Sequence, residues 1–161
     1  MATELTMSEA DLDSVVVREF LADHLEEMEP SVPAESQHAL GFDDFVQPGV
    51  RLWAGYLDGR LAGTVALRRL SGREVEIKTM RLAPEFRGRG LSRTLLDFVL
   101  ATARDDGEEA VFLETGAADM FLAARALYES AGFVRCGPYG LFSEDANSVF
   151  MRLDLAPSAQ T

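Results

Sequence analysis

Cysteine, histidine and lysine are almost missing from this sequence. Cys136 is its one cysteine, which excludes an internal disulfide and any cysteine-rich zinc site. His24 and His38 are its two histidines, too few for a histidine-based metal centre, so no metal is expected. Of the 15 basic residues only Lys78 is a lysine. No apolar run approaches the length of a membrane span, so no membrane association is expected. The opening MATELTMSEADLD has neither a basic start nor an apolar stretch, so a signal peptide is not expected there. The expectation is a soluble, cytoplasmic protein. Internal repeats and low-complexity tracts are absent too. What is present is 47% apolar residues over 161 positions, enough for one packed domain and an argument against disorder or a two-domain enzyme.

The formal charge of −12 is unevenly placed. Residues 1–50 hold 12 Asp and Glu against Arg18 alone, a net of −11, while the other 111 residues hold 15 acids and 14 bases, a net of −1. Eight of those bases crowd into one stretch: Arg68, Arg69, Arg73, Lys78, Arg81, Arg87, Arg89 and Arg93. Nucleic acid is not an expected partner, because a phosphate backbone needs a broad basic face. A small polyanion at the basic middle suits the pattern.

Ser8-Glu9-Ala10-Asp11 reads as a capping box opening a helix that runs to Pro30. Its apolar positions Leu12, Val16, Phe20 and Val17, Leu21, Leu25, Met28 recur every three or four residues, with His24 in the same series. A turn-rich segment with a short helix near 34–40 follows. Asp58-Gly59 between Arg51–Leu57 and Arg60–Leu67 signals a two-residue hairpin. Along the third strand, Glu74 to Leu82, the apolar phase slips from Val75 and Ile77 to Met80 and Leu82. A strand repeats every two residues, so the slip implies a β-bulge near Thr79–Met80. A long helix then runs to Arg104, closed by Asp105-Asp106-Gly107. A strand at Ala110–Glu114, a helix at Met120–Ala131 and strands at Phe133–Arg135 and Ser148–Leu155 complete the order. The pattern is that of a mixed α+β domain around one sheet. Residues 156–161 read as a flexible tail.

Chemistry concentrates at Arg87-Gly88-Arg89-Gly90, between a strand and a helix. Glycines there permit a sharp turn and close backbone approach. The following helix start offers N–H groups and the positive end of the dipole, an anion site suited to a pyrophosphate. The Gly-Lys-Ser/Thr of a nucleotide-triphosphate loop is missing, and the glycine spacing is not that of a dinucleotide fold.

The stretch Glu76-Ile-Lys-Thr-Met-Arg-Leu-Ala-Pro-Glu-Phe-Arg-Gly-Arg-Gly-Leu-Ser92 resembles the acetyl-CoA motif of the GNAT superfamily of N-acetyltransferases. Leu127-Tyr-Glu-Ser-Ala-Gly-Phe133 resembles its second signature. The likeness is good over 50–155, and three further stretches (113–116, 136–140 and 148–151) are similar to small bacterial acetyltransferases of undefined substrate. It implies a single GNAT-like domain over 1–155, with a helical acceptor-side segment at 1–49 and the acetyl-CoA-binding core at 50–155. The implied sheet is mostly antiparallel, of about six or seven strands with a splayed parallel pair, flanked by about four helices.

The resemblance also implies roles. The backbone from Arg87 through Gly88, Arg89, Gly90 and Leu91 to Ser92 would hold the CoA pyrophosphate, and Met80, Arg81 and Leu82 would lie along the pantetheine arm. Tyr128 would protonate the departing thiolate, a task suited to a neutral phenol. Glu76 would take the proton of the attacking amine, since aliphatic amines are mostly charged at neutral pH; Glu74 and Glu114 are alternatives. The competing reading of Glu76 is a solvated strand residue paired with Lys78 or Arg69. Backbone N–H groups of the bulge would stabilise the oxyanion. Glu27, His38, Phe42, Glu114 and Tyr139 are the expected acceptor contacts, within acidic walls at 26–45 and 137–147 that suit a cationic amine. One departure is that Gly116 to Arg125 offers no Asn before the Tyr helix, only Asp119 and Arg125. Cys136 lacks a neighbouring base and is not the expected nucleophile.

The expected activity is acetyl-CoA-dependent transfer of an acetyl group to a primary amine of a small or amino-acid-like acceptor. A protein N-terminus or lysine as acceptor, a non-catalytic acyl-CoA-binding module, and an acidic partner-binding domain are the competing readings. A homodimer is compatible with the family.

Overall fold

A computed structural model describes residues 5–28, 45, 47–140 and 142–155; the side chains of 24–28 lie outside the description. Strand β1 is Thr6–Glu9, helix α1 Val15–Met28, β2 Val50–Leu57, β3 Arg60–Ser71 and β4 Glu74–Leu82. Helix α2 is Leu91–Asp105, β5 Ala110–Gly116, α3 Leu122–Ser130, β6 Val134–Cys136 and β7 Ser148–Asp154. Short 3-10 turns at Pro84–Phe86 and Asp119–Phe121 precede α2 and α3. The seven strands form one sheet in the order β1-β2-β3-β4-β5-β7-β6. Every neighbouring pair is antiparallel except β4 and β5. This is the expected mixed α+β domain with one parallel pair, and it holds three α-helices among the described residues. The helix expected near 34–40 lies outside them.

Three expectations are corrected. Ser8 and Glu9 do not cap a helix; they lie on β1, opposite Ala54 and Trp53. The helix starts six residues later, where the Val17 N–H donates to Ser14 Oγ at 3.4 Å. An open sheet edge at β2, with Leu5 and Met7 packing over Gly55, outweighs a local capping signal worth about 1 kcal/mol. The expected helix at Met120–Ala131 splits into a 3-10 turn and α3, and β6 starts one residue late, because Phe133 turns into the core.

The hairpin is as the sequence reads. Asp58 and Gly59 both have positive φ, 51° and 80°, the two-residue turn that matches strand twist. The bulge is there too. Thr64 pairs with Arg81 and Ala66 with Lys78, so two residues of β4, Thr79 and Met80, face Val65 alone. Thr79 takes a φ of 56°, and its carbonyl accepts a hydrogen bond from Thr64 Oγ1 at 3.0 Å.

Strand alternation then divides the packing. Val75, Ile77, Val111, Leu113 and Met151 meet Leu95, Leu96 and Val99 of α2 in the main core. On the opposite face Leu52 and Ala66 are covered by Val17 and Leu21 of α1 together with Phe45. Further along that face Ala110, Phe112 and Phe150 pack with Tyr139. The sheet is thus sandwiched, with α1 and the β6–β7 connection sharing one side.

A close backbone approach anchors the bulged strand. A Cβ added at Gly63 would lie 2.7 Å from the Arg81 carbonyl oxygen. Gly63→Ala should therefore cost about 1–3 kcal/mol in a urea melt, as overpacking against backbone does; an unchanged midpoint would contradict the placement.

Candidate active site

β4 and β5 pair only from Glu74 opposite Ala110 to Glu76 opposite Phe112. Beyond that point β4 continues through Lys78, Thr79, Met80 and Arg81, and β5 continues through Glu114 to Gly116, without pairing each other. The parting opens a wedge in the middle of the sheet. The bulge sits on its β4 side. Met80 is half-buried there, whereas the Leu82 side chain is in the core and Arg81 turns to α1. The Arg81 Nη1 donates to the Phe20 carbonyl at 3.3 Å, and its guanidinium lies 4.7 Å from the Phe20 ring. The last residues of β4 therefore offer the wedge their backbone rather than their long side chains.

The strand leads into the Arg-Gly turn. Gly88 and Gly90 have φ values of 80° and 77°, and a Cβ added at either would meet nothing within 4 Å. Arg87, Gly88, Arg89 and Gly90 are all exposed, Ser92 is half-buried, and Leu91 is in the core. Gly90 is the N-cap of α2 and supplies no side-chain hydrogen bond. The first turn thus presents its backbone N–H groups behind an open, glycine-lined approach. Arg87 Nε donates to the Leu82 carbonyl at 3.2 Å. Arg60 and Arg89 both lie against the Phe86 ring, at 5.1 and 5.5 Å. The turn is held firmly and carries positive charge, as an anion site requires.

The start of α2 is tied to α3, where Arg93 Nη1 donates to Ser130 Oγ at 3.2 Å, and α3 carries Tyr128 in the main core. Its ring packs edge-on against Phe133 at 5.9 Å, and the Phe133 N–H returns to the Tyr128 carbonyl at 3.1 Å. Burial pushes the phenol up to about 12, so it stays protonated at neutral pH. Arg125, one turn earlier, is buried and donates Nη1 to the carbonyls of Gly116 at 2.6 Å and Ala118 at 3.1 Å. It ties the end of β5 to α3.

A strand-bulge-turn-helix unit, a parted parallel pair and a Tyr helix closed by Gly-Phe now stand together, and the comparisons agree with them. The family model for the acetyltransferase (GNAT) family matches residues 17–133. The chain belongs to the GNAT acetyltransferase family. It is 38% identical over 141 residues to the uncharacterised N-acetyltransferase YsnE of Bacillus subtilis, covering 88% of this chain and 93% of that one. An acetyltransferase of the GNAT family from Staphylococcus aureus superposes with a TM-score of 0.74 at 19% identity, over 94% of this chain and 99% of that one. A Bacillus subtilis acetyltransferase solved in complex with CoA gives 0.71 at 17% identity, over 95% and 100%. The chain is accordingly an N-acetyltransferase by family.

On the α1 side of the sheet this GNAT chain carries a buried polar cluster. Glu76 has no solvent exposure. Its Oε1 accepts from Arg68 Nη2 at 2.7 Å and Nε at 3.1 Å, and its Oε2 accepts from Tyr139 Oη at 2.5 Å. Lys78 Nζ is 3.6 Å from the same Oε2. Burial, helped by the Arg68 charge, pushes the Lys78 ammonium down, while Glu76 and Glu114 oppose it. Removing one member of such a buried set costs about 3–5 kcal/mol, because the others are left uncompensated. Glu114 is half-buried on β5 and accepts from Ser148 Oγ at 2.6 Å.

Of the sequence-derived candidates, the fold brings Glu76, Glu114 and Tyr139 to one face and Met80 to Ser92 along one strand-turn-helix path. Glu27 lies on α1 with its side chain outside the description, and His38 and Phe42 lie outside the described residues altogether. Arg68, Ser148 and Phe142 were not anticipated. Arg68 rather than Arg69 meets Glu76, because the β3–β4 register sets 68 opposite 76; Arg69 points the other way along the pleat, to Glu108 at 2.6 Å. Counting back from the Ser71–Glu74 turn would set Arg69 opposite Glu76; the irregularity between Arg69 and Ser71 moves the register by one residue. Among the described residues no group of three or more His, Cys, Asp or Glu is placed to hold a metal ion, and no helix is long and apolar enough to cross a membrane.

The Tyr128 environment has a measurable consequence. A phenol at about 12 in the fold and 10 when unfolded adds roughly 2–3 kcal/mol of stability by linkage. That stability is fully present below pH 10 and is lost as pH rises through 12. The Tyr128→Phe protein should lose less stability than the wild type between pH 10 and 12 in urea melts. Parallel losses would contradict the burial of the hydroxyl.

Proposed function

We propose that this protein transfers an acetyl group from acetyl-CoA directly to the primary amine of a small, amino-acid-like acceptor. The observation that carries the reading is the parting of β4 and β5 immediately before the bulge and the Arg-Gly turn. It separates two strands of the sheet where Tyr128 belongs to the core on one face and Glu76 and Glu114 lie on the other. The residues suit the co-substrate. The open N-terminal turn of α2 with Gly88 and Gly90 would take the pyrophosphate, with Arg87 and Arg89 beside it, through backbone N–H groups from Arg87 to Ser92. The backbone of Met80, Arg81 and Leu82 would run beside the pantetheine arm as an added strand does.

The chemistry then follows from what these residues can hold and move. The amine nitrogen bonds to the thioester carbonyl carbon and the carbon–sulfur bond breaks. Tyr128 Oη gives its proton to the departing sulfur, a role consistent with a phenol kept neutral by burial. A carboxylate takes the proton that the amine loses. Glu114 suits this best, since it is half-buried on the strand that parts from β4, whereas Glu76 stands fully buried. N–H groups of the bulge would meet the oxyanion. The acidic residues expected near the acceptor, Glu27 among them, favour a cationic amine over an anionic one; His38 and Phe42 are further candidates for acceptor contact.

Acetyl-CoA should raise the melting temperature of the wild type, because a ligand at about 100 times its dissociation constant adds roughly 2.7 kcal/mol. Gly90→Glu should abolish that shift. Tyr128→Phe should keep the shift and lower kcat for thiol release by about 10²-fold or more. A wild type without a shift would overturn the proposal.

A further inference from the structure

Glu76 sits where a proton acceptor was expected, yet its surroundings point to a different task. Both oxygens are engaged, by Arg68 on one and by Tyr139 and Lys78 on the other, and none of the residue reaches solvent. A general base has to come within hydrogen-bond reach of the proton it removes. Tyr139 belongs to the β6–β7 connection, residues 137–147. Its ring packs on Phe112, Phe142 and Phe150 at 4.9, 5.1 and 5.7 Å. Its hydroxyl is the polar tip of that apolar cluster, and Glu76 receives it.

Phe142 repeats the pattern. Its ring lies 5.3 Å from Lys78 Nζ, and its N–H donates to the Tyr139 carbonyl at 3.0 Å. The two aromatic residues of the connection therefore meet a charged pair of β4, Glu76 and Lys78, as well as the rings of Phe112 and Phe150. Its far end is tied to the parted strand: the Ala117 N–H donates to the Asn147 carbonyl at 3.0 Å, and Ser148 Oγ donates to Glu114. Ser148 and Glu114 are themselves held by the β5–β7 ladder, where Ser148 pairs with Gly116 and Glu114 with Phe150, so what Tyr139 positions is the connection beside them.

We propose that Glu76 anchors the β6–β7 connection instead of accepting the amine's proton, and that Tyr139 is the positioning residue that sets the acceptor side of the site. The functional half of this inference rests on the transfer reading above; the anchoring half does not. Removing the Tyr139 hydroxyl leaves the aromatic packing in place but releases the connection from the sheet, so acceptor binding suffers and acetyl-CoA binding does not.

Cys136 provides a built-in reporter. It is the one cysteine of the chain, it precedes the connection, and it packs half-buried against the Tyr139 cluster. Burial also pushes its thiol up, which slows alkylation. In Tyr139→Phe, N-ethylmaleimide should modify Cys136 about tenfold faster than in the wild type. Gly63→Ala, destabilised at a distance, serves as the control and should not show that gain when compared at equal distance below its melting temperature. Thiol release from acetyl-CoA is then followed over a panel of amino acids and polyamines. With any amine that is turned over, Tyr139→Phe should raise the amine KM about fivefold or more, with kcat and the acetyl-CoA KM held. Glu76→Gln, assayed where it is folded, should keep kcat within about threefold of wild type.

Unchanged alkylation in Tyr139→Phe, or an equal gain in Gly63→Ala, overturns the anchor. A loss of about 10²-fold or more in kcat for Glu76→Gln identifies a base and overturns it as well. If no amine is turned over, the transfer reading fails while the alkylation rates still decide the anchor.

Discussion

β4 has to serve two neighbours that diverge. It stays paired to β3 along its length, but it follows β5 only through Glu76. Two parallel strands in one sheet normally remain together, so the separation needs a cause within β4. The bulge at Thr79 provides it. An extra residue increases local twist and bends the strand, and here it does so at Thr79, just past the last β4–β5 pair at Glu76. The conformation is costly: a β-branched residue at a φ of 56° holds about 1–3 kcal/mol of strain. The bond from Thr64 Oγ1 to the Thr79 carbonyl and the close seat of Gly63 against Arg81 offset part of it. Everything proposed for the site, from the added-strand path to the carboxylate beside it, depends on that one strained residue.

The two faces of the sheet then divide the labour. The α2 and α3 face is an apolar core that holds Leu91, directly after the glycine turn, and Tyr128. The α1 face is where charge is buried. Glu76, Arg68, Lys78 and Tyr139 form a set in which each polar group has a partner, the condition under which burial of charge is tolerated. Such a set contributes little net stability over a well-packed apolar one. What it adds here is location, because its ligands come from β3, β4 and the β6–β7 connection and allow one arrangement.

Much of this is legible in the residues. Asp58-Gly59, the phase slip from Ile77 to Met80 and the Gly88 and Gly90 spacing are local rules, and local rules need no knowledge of partners. The capping box at Ser8 fails for the converse reason: its strand exists only because the edge of β2 lies beside it. Arg68 was missed because a cross-strand partner depends on register, and the neighbouring Arg69 carries the same side chain on the opposite face. Tyr139 is expected among the acceptor contacts, but its bond to Glu76 spans 63 positions of sequence and no local pattern encodes it. The proposed acceptor side is least legible for the same reason, since the elements proposed for it, α1, β4, β5 and a connection without regular structure, are distant in sequence.

The central claim is that the wedge between β4 and β5 and the α2 N-terminus form one continuous site. Amide hydrogen exchange with and without CoA tests it most directly. The account expects protection on CoA binding at the amides of 80–82 and 88–92, with the β1–β2 edge unchanged. Protection confined to other elements, or confined to the α2 turn with 80–82 unaffected, would contradict it.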